Sequence, residues 1–333
     1  GAVHEASGYA RASGKPGVCL ATSGPGATNF VTGIATAYMV SIPVIAITGQ
    51  VATHMVGTDA FQEVDMTGIT EPITKHNYLV KDVNQLARCV KEAFHIAHTG
   101  RPGPVLLDIP KDVAKALSPV TEVPKINLRG YKPNLTGHVG QIKQMIRLLS
   151  EAKRPLIIAG GGVLSARCWD SLLEFAEGQD TPIVNTLMGL GSVPMDHPLA
   201  LGMMGVYGCA AANYAVQSCD LLIALGTRFD DRMTANVERF APRAKIVHID
   251  VDTAEIGKNV DVDIPIVGDL KIVLGQILER VKPQKRPDWL AEIQQFKKNS
   301  LPRPKKEDKL TGVDVIEALA EALPANAIVT TDV

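Results

Sequence analysis

The segment 226–232, Gly-Thr-Arg-Phe-Asp-Asp-Arg, places two arginines and two aspartates within seven residues. It follows the apolar run 221–225, which is typical of a buried strand. Guanidinium groups suit a pyrophosphate, and carboxylates suit the hydroxyls of a ribose or ribityl chain. Ligands of open α/β sheets bind beyond the carboxyl ends of strands, and the pattern places this segment there.

Other predicted strand ends carry glycine, hydroxyl or carboxylate groups, at 160–162, 186–189, 250–251 and 268–269. Each one alone is explained by a turn or a helix cap. Five such ends together favour an extended, hydroxyl-rich, phosphorylated ligand, which is the description of a dinucleotide. The triple glycine 160–162 is not the G-x-G-x-x-G fingerprint of an NAD enzyme. The segment 202–205 (Gly-Met-Met-Gly) fits contact with a flat ring and core packing by methionine equally well.

The segment 23–29, Ser-Gly-Pro-Gly-Ala-Thr-Asn, lies between a predicted strand at 17–22 and a predicted helix at 29–39. Strand, glycine turn and helix in that order form a ligand-facing corner of an α/β sheet, although a tight turn without a ligand has the same pattern. Arg101 lies between glycine and proline turns and suits an anion. The alternative interpretation is that Arg101 is an exposed loop residue that binds no ligand.

Strands that alternate with helices predict an α/β fold with two doubly wound parallel sheets and the start of a third α/β unit. The predicted domains are 1–117 and 138–281, joined by a linker at 118–137. A second linker at 282–310 is rich in Lys, Arg and Pro. Such a basic run is compatible with nucleic acid, but the proline spacing and nearby acids favour a solvated linker. The third unit, 311–333, is predicted to hold a helix at 313–322 and a strand at 327–331. The first unit is predicted to have strands at 17–22, 43–48 and 104–109, and the second has five, at 155–159, 182–185, 221–225, 245–249 and 265–267.

The composition is that of a well-packed α/β protein: 46% of the 333 residues are hydrophobic and only 5% are aromatic. A net charge of -1 gives no field that would attract nucleic acid or an anionic membrane, so neither is expected as a partner. No window is apolar enough for a membrane span. The five cysteines lack a C-x-x-C pair, which predicts free, mostly buried thiols in a reducing compartment and no metal site.

Six segments together resemble one family: 23–29, 49–51 (Gly-Gln-Val), 61–63 (Phe-Gln-Glu), 75–77 (Lys-His-Asn), 100–104 and 226–232. They are similar to the acetolactate synthase family, the thiamine-diphosphate enzymes that form the large subunit of acetohydroxyacid synthase. The resemblance covers the whole chain in order. The segment 23–29 is shared by related thiamine enzymes, whereas 226–232 together with 186–191 is characteristic of acetolactate synthase.

The resemblance implies condensation of two pyruvates, or of pyruvate and 2-ketobutyrate, to acetohydroxy acids with release of CO2 in branched-chain amino-acid synthesis. It implies thiamine diphosphate, FAD and Mg2+ as cofactors, a homodimer or dimer of dimers, and a possible regulatory small subunit. The expected location is the cytoplasm of a bacterium, or a plastid or mitochondrion of a eukaryote. Pyruvate oxidase, glyoxylate carboligase and a non-catalytic flavin-binding fragment stay open as alternatives. An NAD-dependent enzyme is disfavoured without the fingerprint.

The resemblance also implies roles for individual residues. Pro25 and Asn29 line the thiamine site, and Gln62 faces the reacting centre across a subunit interface. Lys75 and Ala52 lie on the substrate channel, so that Gln62 and Lys75 are the catalytic candidates. The residues expected to contact FAD are Arg101, Gly161, Gly162, Thr186, Leu187, Met188, Gly189, Met204, Gly205, Val206, Tyr207, Gly226, Thr227, Arg228, Phe229, Asp230, Arg232, Asp250, Val251, Asp269 and Leu270.

Two parts of the family pattern are expected outside residues 1–333. The glutamate that activates the thiamine ring aligns just before Gly1, and Glu5 is not its equivalent. The Gly-Asp-Gly…Asn segment that holds Mg2+ and diphosphate is expected after Val333, so no metal ligand is assigned here. Both ends therefore look truncated, and the 333-residue chain by itself is expected not to turn over pyruvate.

Overall fold

The computed structural model describes residues 1–119, 125–300 and 310–331. The first sheet has four parallel strands, β1 (Gly17–Ala21), β2 (Val44–Gln50), β3 (His76–Leu79) and β4 (Val105–Pro110), in the order β1-β2-β4-β3. Because every pairing is parallel, the carboxyl ends of these strands share one edge. The segment that follows β1 therefore lies at the same edge as the loop that follows β2.

Helices cover both faces of the first sheet. Val3 and Ile34 pack with Leu106 on one face, and Ile96 packs with Leu107 on the other. The helix at Val83–His98 begins with a capping aspartate and buries a stripe at i, i+4 and i+7, which is the pattern of an amphipathic helix. The helices of this unit are α1 (Ala2–Ser13), α2 (Pro25–Thr28), α3 (Val31–Met39), α4 (Met66–Thr70), α5 (Val83–His98) and α6 (Lys111–Lys115).

The second sheet has six parallel strands in the order β10-β9-β8-β5-β6-β7. The chain fills one half from β5 to β7 and then returns to fill the other half from β8 to β10. The order therefore reverses between β5 and β8, and this reversal opens a crevice at the carboxyl ends of these two strands. The strands are β5 (Pro155–Ala159), β6 (Ile183–Asn185), β7 (Ala200–Met203), β8 (Leu221–Leu225), β9 (Lys245–Asp250) and β10 (Ile264–Val267).

Helices also cover both faces of the second sheet. All five residues of β5 and of β8 are buried, which is why these strands are continuous apolar runs. The helices are α7 (Val139–Glu151), α8 (Gly161–Ser165), α9 (Trp169–Gly178), α10 (Ala210–Ser218), α11 (Asp231–Thr234), α12 (Leu270–Leu278) and α13 (Pro287–Asn299). The predicted α/β class with parallel sheets is confirmed.

Two strands were missed by the sequence patterns. β3 is half-exposed and contains His76 and Asn77, and β7 is four residues long with Gly202 inside it. The second sheet therefore has six strands instead of the predicted five. Both missed strands lie at a sheet edge, where polar or small residues are tolerated.

The predicted linker at 282–310 is wrong over α13. Trp289 and Ile293 are buried in the core of the second sheet, and the Trp289 indole N–H donates to the carbonyl of Pro155 at 2.9 Å. These two residues are four apart and so share one helix face. Residues 301–309 lie outside the described part.

The third unit is only partly as predicted. The helix is present as α14 (Gly312–Ala322), begun by a capping box between Thr311 and Asp314. No strand forms at 327–331, and these residues are exposed. A strand needs a neighbouring strand to pair with, and the described residues supply none at this position. Among the described residues, no helix is both long and apolar enough to cross a bilayer.

Candidate functional site

At the crevice between β5 and β8, two backbone segments are in direct contact. The Gly160 N–H donates to the Leu225 carbonyl at 2.9 Å, and the Gly162 N–H donates to the Gly226 carbonyl at 3.1 Å. A Cβ placed on Gly162 would lie 2.7 Å from the Gly226 Cα, and Gly226 has a φ of 57°. Only glycine allows this approach, so the structure brings 160–162 and Gly226 together at the reversal point.

The loop after β6 completes the rim of this crevice. A Cβ on Gly189 would overlap the carbonyl of Ala159, and a Cβ on Gly161 would lie 3.1 Å from the Cβ of Met188. The Thr186 hydroxyl accepts from the Gly189 N–H at 3.1 Å and so shapes the turn. The predicted segments 160–162, 186–189 and 226 therefore form one continuous surface.

The side chains exposed on this surface are apolar, aromatic and cationic. Leu187 is 69% exposed and Tyr207 is 78% exposed, beside Val206. The Val206 N–H donates to the Arg232 carbonyl at 2.9 Å, so the loops after β7 and β8 are joined. Arg232 itself is largely exposed, and Arg228 is half-buried. Gly205 is needed where the loops join, because a Cβ there would lie 2.5 Å from the Arg232 carbonyl.

Four residues expected to contact the ligand have their side chains in the core instead. Met204, Thr227, Phe229 and Leu270 are all buried. Phe229 meets His248 edge to face, with the ring centroids 5.0 Å apart. The structure therefore supports the core-packing interpretation of Met204. If any of these four residues contacts the ligand, the contact must come from its backbone or from one edge of its side chain.

Two of the predicted acids act as helix caps. The Asp230 carboxylate accepts from the Met233 N–H at 3.0 Å at the start of α11. The Asp269 carboxylate accepts from the N–H groups of Lys271 and Ile272 at 3.0 and 3.2 Å at the start of α12. Capping alone accounts for aspartate at these two strand ends.

Asp250 has a different environment. Its side chain is buried at the end of β9, and burial raises its pKa to about 6. One oxygen accepts from the Asp252 N–H at 2.8 Å, and the half-buried Val251 lies between them. A carboxyl group with this pKa can accept hydrogen bonds from hydroxyls at neutral pH, as expected for a residue that binds a sugar or polyol.

Arg101 of the first unit pairs with two carboxylates of the second unit. Its Nη1 lies 3.1 Å from the Asp252 Oδ2 and 2.6 Å from the Glu255 Oε1, while its Nε donates to the Ser41 hydroxyl at 2.9 Å. Glu255 is buried, and its second oxygen, Oε2, has no hydrogen-bond partner among the described residues. The guanidinium is therefore held by two carboxylates of the loop that follows Asp250 and Val251.

At the first sheet, the turn 23–29 meets Gln62. Gly24 has φ 63° and ψ -123°, and a Cβ there would lie 2.8 Å from the Gln62 Cβ. Pro25, Asn29 and Gln62 are exposed around this contact. The Asn29 amide donates to the Pro25 carbonyl at 2.7 Å, which fixes the turn. The structure therefore brings the three predicted thiamine-site residues to one edge.

Lys75 lies at the opposite edge of the same sheet. Its backbone N–H donates to Pro104, just before β4 begins. Its Nζ donates to the carbonyls of Ile96 and Thr99 and, at 2.9 Å, to the Tyr131 hydroxyl. Burial lowers its pKa to about 8. Ala52 follows β2 at the carboxyl edge, so within one chain the structure separates Lys75 from Ala52 and Gln62.

A buried polar cluster that the sequence patterns do not predict lies beneath the carboxyl edge of the first sheet. Asp108 is 1% exposed, and its carboxylate accepts from the Thr48 hydroxyl at 2.7 Å and the Gln50 amide at 3.0 Å. Burial raises the pKa of Asp108 to about 6. The same Gln50 amide donates to the Val64 carbonyl at 2.7 Å and so anchors the loop that carries Gln62. The sequence feature that could have indicated this cluster is an aspartate inside the otherwise apolar strand β4.

Other parts of the described structure are weaker candidates for a ligand site. A cavity of about 840 Å³ opens at the amino edge of the second sheet, away from the crevice. Two of its cations are engaged with the protein: Arg154 pairs with Glu292 at 2.9 Å, and Arg286 donates to the carbonyls of Leu149 and Ala152 at the end of α7. Within the described ranges, no group of three or more His, Cys, Asp or Glu side chains could hold a metal ion.

Comparisons with known proteins cover both sheets. Residues 1–69 match the thiamine pyrophosphate enzyme N-terminal TPP binding domain, and residues 142–277 match the thiamine pyrophosphate enzyme central domain. A probable acetolactate synthase large subunit of Methanocaldococcus jannaschii is 51% identical over 345 residues, which is 100% of this chain and 58% of that protein. The acetolactate synthase large subunits of Corynebacterium glutamicum and Buchnera aphidicola are 49% and 46% identical, over 98% and 100% of this chain. The chain spans 54% and 59% of those two relatives.

Proposed function

Since this chain belongs to the acetolactate synthase large-subunit family of thiamine pyrophosphate enzymes, we propose that its protein condenses two pyruvates to 2-acetolactate and CO2. With 2-ketobutyrate as acceptor the product is 2-aceto-2-hydroxybutyrate. The observation that carries the proposal is an identity of about half of all residues along the whole chain with proteins named as acetolactate synthase large subunits. The pathway supported is branched-chain amino-acid biosynthesis.

The residues at the carboxyl edge of the first sheet fit thiamine diphosphate. The Gly24 turn and Gln62 lie against each other at this edge, and exposed Pro25 and Phe61 add apolar surface suited to a heteroaromatic ring. When bound, the cofactor supplies the electron sink for loss of CO2 from a 2-keto acid. The chain itself orients the substrate: the Gln62 amide NH2 can donate to the keto or carboxylate oxygens of a keto acid.

The crevice of the second sheet fits FAD. Exposed Leu187 and Tyr207 offer surface to a flat ring, while Arg228 and Arg232 suit the pyrophosphate. Asp250 suits ribose or ribityl hydroxyls. Residues 142–277 match the central domain of thiamine pyrophosphate enzymes, and FAD is our proposal for the ligand of the crevice in this domain.

The assembly is also part of the proposal. The large-subunit names of the relatives support a smaller partner subunit. Phe61 is 87% exposed at the tip of its loop, which leaves Phe61 and Gln62 free to face a second copy of the chain in a homodimer. Mg2+ completes the proposed cofactor set, although the described residues hold no group of three or more possible metal ligands.

The test is the cofactor content and requirement of the full-length protein. We expect the purified protein to carry a flavin spectrum and to consume pyruvate only when thiamine diphosphate and Mg2+ are present. Gln62→Ala should lower turnover, whereas Gln295→Ala, on the surface of α13, should not. Pyruvate consumption without thiamine diphosphate, or a colourless protein with full activity, contradicts the proposal. Acetyl phosphate as the product indicates a pyruvate oxidase, and activity with glyoxylate alone indicates a carboligase.

A further inference from the structure

The loop between β2 and α4 holds a strained backbone close to the candidate thiamine site. Three of the seven residues 57–63 have a left-handed φ: Gly57 at 85°, Asp59 at 56° and Gln62 at 61°. Residues other than glycine rarely adopt this conformation, because it costs each such residue about 1–2 kcal/mol. Such strain persists where the surrounding structure enforces it.

The group that enforces it is the carboxylate of Glu63. One oxygen accepts from the Gly57 N–H, and the other accepts from the N–H groups of Ala60 at 3.0 Å and Thr58 at 3.3 Å. These backbone hydrogen bonds hold the pKa of Glu63 below its usual value, so the group is ionised at neutral pH. Hydrogen bonds to a charged acceptor are stronger than neutral ones. The backbone from 57 to 63 is therefore closed into a ring around one carboxylate.

The ring contains two exposed residues at the candidate thiamine site. Phe61 is 87% exposed, and Gln62 is exposed but lies against Gly24 of the turn 23–29. A ring held only for stability would bury apolar surface, whereas this one presents an aromatic ring and an amide to solvent at the candidate site.

We propose that Glu63 is a positioning residue, which holds Phe61 and Gln62 in the geometry required at the thiamine-diphosphate edge. The inference deepens the proposed function and rests on it for the identity of the reaction. Glu63 does not touch the reacting atoms. Its carboxylate acts through the backbone of 57–60 on the two residues that do face the site.

The test compares Glu63→Gln with Glu71→Gln in the full-length holoenzyme. Glutamine keeps the length of the side chain but has one acceptor oxygen, so it cannot bind all three N–H groups. Glu71 is an exposed acid in the same part of the chain and serves as the matched control. The measurements are amide hydrogen exchange at 57–60, kcat and KM for pyruvate, flavin content and Tm.

For Glu63→Gln we expect faster exchange at 57, 58 and 60 and a loss of kcat on the order of 10²-fold, the usual effect of misplacing a substrate-orienting group by about 1 Å. Flavin content and Tm should stay at wild-type values, and Glu71→Gln should change none of the four measurements. Wild-type kcat in Glu63→Gln, or unchanged exchange at 57–60, overturns the proposal.

A structural role alone would lower Tm and flavin content together with kcat, and that pattern also overturns it. If wild-type protein does not turn over pyruvate, the proposed function fails. The exchange measurement then still decides whether Glu63 orders Phe61 and Gln62.

Discussion

Gly226 is the residue at which one added methyl group tests the geometry of the crevice most sharply. In Gly226→Ala the new Cβ would lie 2.6 Å from the Cα of Gly162 and 2.8 Å from the Cδ1 of Leu270. The first neighbour is backbone and cannot rotate away. The residue would also have to keep a φ of 57°, which disfavours any side chain.

The cost follows from these two effects. The left-handed conformation costs roughly 1–2 kcal/mol for a residue with a Cβ. Overpacking against fixed neighbours costs about 1–3 kcal/mol. The free energy of unfolding should therefore fall by roughly 2–5 kcal/mol, and β5 and β8 should separate at their carboxyl ends, which would weaken flavin binding.

The matched control is Gly275→Ala in α12. A Cβ at Gly275 has no neighbour within 4 Å, and its backbone is helical. Alanine there should raise the free energy of unfolding by about 0.5–1 kcal/mol.

Urea denaturation of both variants and of wild-type protein measures the difference, and flavin content after purification reports on the crevice. If Gly226→Ala unfolds within about 0.5 kcal/mol of wild type, as a surface substitution would, and retains its flavin, the close contact between the two glycine segments is refuted.

Three further predictions concern other sites. Arg286→Met should lower the free energy of unfolding by about 2–4 kcal/mol, because it strips donors from buried carbonyls at the end of α7, and urea midpoints check this. Asp108 has a pKa raised to about 6, so its contribution to stability is greatest below about pH 4 and is lost as pH rises through 6. Asp108→Asn should remove that slope from a Tm-against-pH series, and an unchanged slope assigns it to another group. A double-mutant cycle on Arg101 and Glu255 should give a coupling of about 0.5–3 kcal/mol, and a coupling near zero would mean that the pair does not hold the two units together.

Much of the fold could be predicted because the central strands are buried on both sides. β5 and β8 are apolar runs ended by glycine, and their predicted bounds match the structure. β3 and β7 could not be predicted, since an edge strand is defined by its neighbour and not by its own composition. In α13, Trp289 and Ile293 carried the helical spacing, but the surrounding Lys and Pro residues obscured it.

The candidate site was predictable to the level of its segments. The glycines at the ends of β5, β6 and β8 do meet at one crevice, because parallel strands share their carboxyl edge. The direction of each side chain was not predictable. Phe229 has a φ of 53°, which turns its ring into the core, and nothing in Gly-Thr-Arg-Phe-Asp-Asp-Arg specifies that torsion.

The sequence patterns could not predict contacts between residues that are far apart in the chain. The contact between Gly24 and Gln62 depends on the fold of the loop 51–65, which Glu63 and Gln50 hold from two sides. The partners of Lys75 come from the end of α5 and from Tyr131, 56 residues away. Local residue types could not show that its amine is engaged there.

The carbon balance of the reaction tests the proposed activity most directly. Full-length protein with thiamine diphosphate, Mg2+ and FAD would be given ¹³C-labelled pyruvate, and pyruvate, acetolactate and CO2 would be quantified by NMR. We predict two pyruvates consumed for each acetolactate and each CO2 formed. One pyruvate consumed per CO2, with acetate or acetyl phosphate as the product, would contradict the account.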